Sequence, residues 1–362
     1  MSGFFASIGL AEVVAGIMVL ALNAYVLMGG ADYGGGLWDL LAGGPRRDQQ
    51  RELITRSIAP IWEANHVWLI VVVVMLFTAF PVAFSTLGII LHIPITLMLI
   101  GIVLRGSAFV FRSYGSRAAS PRRRWGIAFA GASGVTPVLL GMIVGAIASG
   151  DVATAASRIG AASFRQVFIS PWLAPFPIAV GLLALALFAY LAAIYLALEA
   201  KDDALREDFR RRALASAGAV AVVAAVALFV SRTAAPRVTF GLVSARWSWV
   251  LHLCTATTAV TAFVALLRRN YRLARLAAAA QASLILWGWA VSQFPFIIPM
   301  TLSIRQASAP EVTLVLLLVG LAGGALILIP SLRYLLRTFA GRAAETRAEG
   351  GAEEEDGGPP TR

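Results

Sequence analysis

Apolar residues recur in nine long stretches, near positions 8–29, 61–80, 84–104, 125–149, 173–198, 213–231, 247–267, 273–295 and 312–336. Each approaches the roughly 20 residues that a helix needs to cross the hydrocarbon core of a bilayer. The pattern predicts an all-α polytopic membrane protein with nine transmembrane helices. Leu20-Ala21-Leu22-Asn23-Ala24-Tyr25 in the first stretch is echoed by Leu185-Ala186-Leu187-Phe188-Ala189-Tyr190 in the fifth, an offset of 165, and the third and seventh stretches both end in arginines. Two four-helix units in the same orientation, plus one peripheral ninth helix, would produce such an echo. The expected divisions are 1–165, 166–340 and a tail, 341–362, whose Gly/Glu-rich composition without apolar periodicity reads as disordered.

Composition agrees with the pattern: 59% of the 362 residues are hydrophobic, 14% are charged, and the mean hydropathy is +0.80. A net charge of +11 would suit a nucleic-acid partner, but 24 of the 30 basic residues fall in alternate loops and the tail, which is the signature of topology. No nucleic-acid role is therefore expected. Because the basic loops stay inside, the N-terminus is expected outside and the C-terminus in the cytoplasm, which requires an odd number of spans. No basic segment precedes the first apolar run, so that run reads as retained rather than cleaved. Cys254 is the sole cysteine. An internal disulfide, a CxxC redox pair and CxxCH haem attachment are thereby excluded.

Several polar side chains interrupt this apolar background. Ser57-Ile58-Ala59-Pro60 reads as a helix start, with Pro60 in the first turn, and Trp62, Glu63, Asn65 and His66 follow at once. Glu63 and His66 are three apart, and Trp62 and His66 four apart, so they share one helical face. A carboxylate there can simply favour the helix N-terminus. It can equally mark a proton or ion route, because ionisable groups at membrane depth usually face protein or water. Asp32 lies just past the first span in Gly29-Gly30-Ala31-Asp32-Tyr33-Gly34-Gly35-Gly36, where five glycines allow a bend or close packing. An apolar helix, not a strand, precedes this segment, so it is no dinucleotide fingerprint. Arg105 closes the third span, but apolar residues continue beyond it to Phe111, which makes it more interior than an ordinary anchor; it either snorkels to headgroups or acts as counter-charge to Asp32, Glu63 or an anionic group on a partner. His66, His92 and His252 are the only imidazoles, and they show no HxxxH or HExxH spacing.

The segments Ala31-Asp32-Tyr33-Gly34, Ser57-Ile58-Ala59-Pro60 with Trp62-Glu63-Ala64-Asn65-His66-Val67-Trp68-Leu69-Ile70, the pair Arg105 and Arg112, and Phe294-Pro295-Phe296 resemble subunit II of bd-type quinol oxidases. That resemblance runs through most of the chain. It implies a nine-helix subunit of the bacterial inner membrane bound to a similar subunit I, which carries b- and d-type haems and the quinol site, while this chain binds no cofactor. Quinol and oxygen would be the substrates of the complex, and a small single-span accessory subunit and membrane lipid its further partners. The resemblance makes Glu63 a relay carboxylate near the subunit interface. Asp32 matches an acidic position at the mouth of the proton route, Ser133 a polar position on the fourth span, and Arg105 an arginine near the interface, with Trp62 and Asn65 beside it. Two departures stand out: Gly29 replaces a frequent acidic residue, and Glu63 and His66 replace a frequent Asp and Gln. On this reading His66, one turn from Glu63, is a substitute proton carrier.

Two rivals remain at the level of sequence. A secondary transporter would also carry intramembrane carboxylates, but its usual mid-membrane helix break is not evident. A structural scaffold would use the polar groups only to fix packing.

Overall fold

Where apolar side chains face lipid, the backbone must satisfy its own hydrogen bonds, and helices do so within one segment. The computed structural model describes residues 9–58, 62–114, 119–328, 330, 331 and 334, with side chains undescribed for 62, 63, 112–114 and 119–123. Its helices are α1 (Leu10–Leu40), α2 (Arg47–Ile58), α3 (Trp62–Ala79), α4 (Pro81–Ile90), α5 (His92–Tyr114), α6 (Ala119–Ser149), α7 (Asp151–Ala156), α8 (Phe164–Phe168), α9 (Pro175–Glu199), α10 (Asp203–Ala234), α11 (Pro236–Thr239), α12 (Ser248–Leu267) and α13 (Tyr271–Gln293). A small antiparallel pair, β1 (Phe296–Ile298) and β2 (Leu302–Ser303), and the short α14 (Ile304–Ala307) complete a unit ending at Ala309. Helix α15 (Glu311–Leu328) belongs to a second unit. Among the described residues eight helices are long and apolar enough to cross a membrane, or nine if the bent pair α3 and α4 counts as one span. The expected disordered tail, 341–362, lies outside the described residues.

Local chemistry sets the ends. Pro175 opens α9 where its missing N–H costs no intrahelical bond, and the side chains of Asp202 and Asn270 accept backbone N–H bonds at the starts of α10 and α13. The second and third spans differ from the sequence expectation. Pro81 has no N–H and crowds Phe80 out of helical geometry (φ −133°, ψ 58°), so the chain turns by 116° between α3 and α4, and the next span begins at His92 rather than near 84. Ser57 and Ile58 end α2 instead of starting a helix, while 59–61 lie outside the described residues.

The glycine-rich segment is also corrected. It does not leave the helix: α1 runs 31 residues through it, and Gly29, Gly30, Gly34, Gly35 and Gly36 are all buried. A methyl group at Gly34 would run into the Phe188 carbonyl of α9, so glycine here permits backbone contact between crossing helices. Gly34→Ala is expected to lower stability by about 1–3 kcal/mol through overpacking, measurable as a drop in the melting temperature of the purified protein.

The core runs along α9, whose residues Leu187–Ala193 are nearly all buried against Trp38, Phe129, Phe209 and Ala278. In the first half α1 packs on α3 and α6, and α5 on α6; in the second α9 packs on α10 and α13, and α12 on α13. At one end Arg46 and Gln50 hold Asp208 of α10 at 2.6 and 3.0 Å, joining the first and fifth loops. At the other end Arg305 binds Glu12 at 2.6 Å.

Candidate functional site

Asp32 and Arg105 meet in the interior where α1, α5 and α6 pack. Asp32 is fully buried and Arg105 is 1% exposed, so two opposite charges stand where water cannot screen them. The guanidinium binds the carboxylate through both terminal nitrogens, with Nη1 3.0 Å from Oδ2 and Nη2 on Oδ1. Nη2 also donates to the Asp32 carbonyl at 3.0 Å, and Nε donates to Ser133 Oγ at 2.9 Å. Ser133 in turn donates to the Phe129 carbonyl at 2.7 Å, so its hydroxyl is committed on both sides. The planar cation lies between two rings, 4.8 Å from the centre of Tyr33 and 4.9 Å from that of Phe129, an arrangement open to arginine and not to lysine. Gly36 makes room for this contact, since a Cβ there would clash with the Ser133 hydroxyl.

Two consecutive residues of α3 reach two consecutive residues of α1. Asn65, fully buried, donates to Asp32 Oδ2 at 3.4 Å, and His66 Nε2 lies 3.3 Å from the Tyr33 hydroxyl. Tyr33 also accepts from Tyr25 at 3.3 Å. His66 then opens on a groove of about 480 Å³ between α3 and α5, lined also by Ile102, Val103, Gly106, Ser107, Val110 and Phe111. The polar interior thus communicates through one imidazole with an otherwise apolar outer face.

Set against the sequence expectations, Asp32, Arg105, Ser133, Asn65 and His66 come together. Arg105, expected to be more interior than an ordinary anchor, lies well inside α5, and of the three counter-charges open to it the structure pairs it with Asp32. Asp32, expected past the first span, is inside α1 and sealed by that arginine. The backbones of Trp62 and Glu63 start α3, but their side chains lie outside the described residues, so the relay assigned to Glu63 is not described geometrically. Tyr25 and Tyr33 join this cluster without having been expected from the sequence. Tyr33 stands inside the quoted Ala31–Gly34 motif, and the eight-residue spacing that puts Tyr25 on the same face of α1 was the available signal. His92 and His252 lie elsewhere, turned to the carbonyls of Ile89 at 2.8 Å and Leu242 at 2.6 Å.

The profile of the family described as "Cytochrome bd terminal oxidase subunit II" matches residues 10–339. A Bacillus subtilis protein, named for subunit II of a cytochrome bd menaquinol oxidase, is 25% identical over 87% of this chain and 91% of its own length. Subunit 2 of the cytochrome bd-I ubiquinol oxidase of Escherichia coli is 32% identical over 36% of this chain and 33% of its own. The structure of bd oxidase from Geobacillus thermodenitrificans contains a chain that superposes with a TM-score of 0.74, at 22% identity, covering 91% of this chain and 98% of that one.

Proposed function

The chain belongs to the cytochrome bd terminal oxidase subunit II family, and from that premise we propose that it is the haem-free subunit of a quinol oxidase reducing oxygen to water, supplying part of a proton route from the cytoplasm. Subunit I would hold the quinol site and the b- and d-type haems, which would carry electrons from quinol and supply the oxygen chemistry. The contribution of this chain is positional and protonic. What carries the reading is the buried Asp32–Arg105 pair with His66 close by, on the same α3 face as Glu63 and at the rim of a mostly apolar groove.

Within that scheme the named residues divide the work. Glu63 and His66 accept and pass protons at the face turned to subunit I. Asp32 and Ser133 hold the charge of Arg105 in place, and Arg105 and Asn65 give the route a fixed electrostatic floor. A carboxylate and an imidazole one turn apart suit proton transfer because each can bind and release a proton near neutral pH with modest tuning. Drawing electrons from quinol on the outer side and protons from the inner side moves charge across the membrane without a pump.

The basic loops are assigned to the cytoplasm, with the N-terminus outside and the C-terminus inside. The ion pairs support that parity, since Arg46–Asp208 joins two inner loops and Glu12–Arg305 two outer segments. The like pattern of helix neighbours in the two halves supports two four-helix units within the unit that ends at Ala309. A tagged copy expressed in its own membrane should bring down a second polytopic subunit and give haem absorption bands. Purification as a colourless, unaccompanied chain would reject the reading.

A further inference from the structure

We propose that the Tyr25–Tyr33 hydroxyl pair is a positioning device that sets the tautomer of His66, with the proton on Nδ1 and Nε2 as acceptor. The proposal rests on the reading above for its meaning, and adds to it the nitrogen on which the proton is carried.

The argument is a count of protons. Tyr25 is fully buried and Tyr33 is 1% exposed, so each hydroxyl proton needs an acceptor inside the protein. Among the described residues the partners in reach form a single line: Tyr25 to Tyr33 at 3.3 Å, then Tyr33 to His66 Nε2 at 3.3 Å. Two protons have acceptors only if Tyr25 donates to Tyr33 and Tyr33 donates to Nε2. A proton on Nε2 would turn the Tyr33 proton back toward Tyr25, and the Tyr25 proton would then have no acceptor. The His66 ring meets the Tyr33 ring edge-on, their centres 6.3 Å apart.

The test is vibrational. Infrared difference spectra of the purified two-subunit complex, wild type against His66→Gln with isotope-labelled histidine, isolate the ring modes of His66, which distinguish Nδ1–H, Nε2–H and imidazolium. Wild type should show Nδ1–H at neutral pH. Tyr33→Phe, compared with Tyr33→Phe/His66→Gln, should lose that preference, with Nε2–H or imidazolium bands appearing. Tyr25→Phe leaves the Tyr33 donor in place and should keep Nδ1–H. Nε2–H or imidazolium in the wild type, an unchanged Nδ1–H band in Tyr33→Phe, or loss of that band in Tyr25→Phe would each overturn the proposal. The wild-type and Tyr25→Phe spectra decide it if Tyr33→Phe does not assemble. Turnover of His66→Gln is a separate readout: full activity beside a wild-type Nδ1–H band would remove His66 from the proton route and leave the tautomer assignment standing.

Discussion

Arg105→Met should destabilise the protein by about 3–5 kcal/mol, because it leaves the Asp32 carboxylate buried without its counter-charge. The loss exceeds that of an ordinary hydrogen bond. Arg105 makes four hydrogen bonds to Asp32 and Ser133 and lies between two rings, so removing it strips the partner from an acid that no water reaches. The expected outcome is a low yield of assembled complex and a melting temperature reduced by several degrees. Asp32→Leu combined with Arg105→Met removes both charges, and most of the lost stability should return, since a buried ion pair is often no more stabilising than apolar residues of similar volume. A thermal melt of the two single variants and the double variant checks the coupling. Equal, additive losses would mean that the pair is not the unit holding α1 to α5.

Glu63→Gln should leave the complex assembled, with unaltered haem spectra, and slow steady-state oxygen consumption by about 100-fold or more, the usual scale for removing a positioned proton carrier. The amide keeps the volume and much of the hydrogen-bonding capacity of the acid but cannot pass a proton. That contrast separates a relay from a packing role, for which the isosteric amide would serve nearly as well. His66→Gln should slow turnover less, because Glu63 remains.

Much of this arrangement can be read from the residues alone. Spans of roughly 20 apolar residues and basic residues in alternate loops follow from the bilayer as solvent, and a polytopic helical protein follows from them. Arg105 as an interior arginine is partly legible, but the choice between snorkelling and pairing with Asp32, Glu63 or a partner's anion is not; the packing of α1, α5 and α6 selects Asp32. The continuation of α1 through five glycines is not legible either, because glycine disfavours an isolated helix, and only the crossing of α9 at Phe188 and Leu191 makes its absence of a side chain an advantage. Hydropathy also hides the turn at Phe80, which has apolar residues on both sides; Pro81 was its mark. The tyrosine pair stays hidden for a different reason. A tyrosine in an apolar helix reads as packing until the register of α1 against α3 brings His66 to Tyr33.

The claim at the centre of this account is that protons consumed in oxygen reduction pass through the α3 face of this chain. Proton uptake from bulk solvent, followed with a pH dye as the fully reduced complex reacts with oxygen, tests it most directly. In the Glu63→Gln complex the account expects uptake to lag far behind that of the wild type while haem content stays the same. Uptake at the wild-type rate would contradict it.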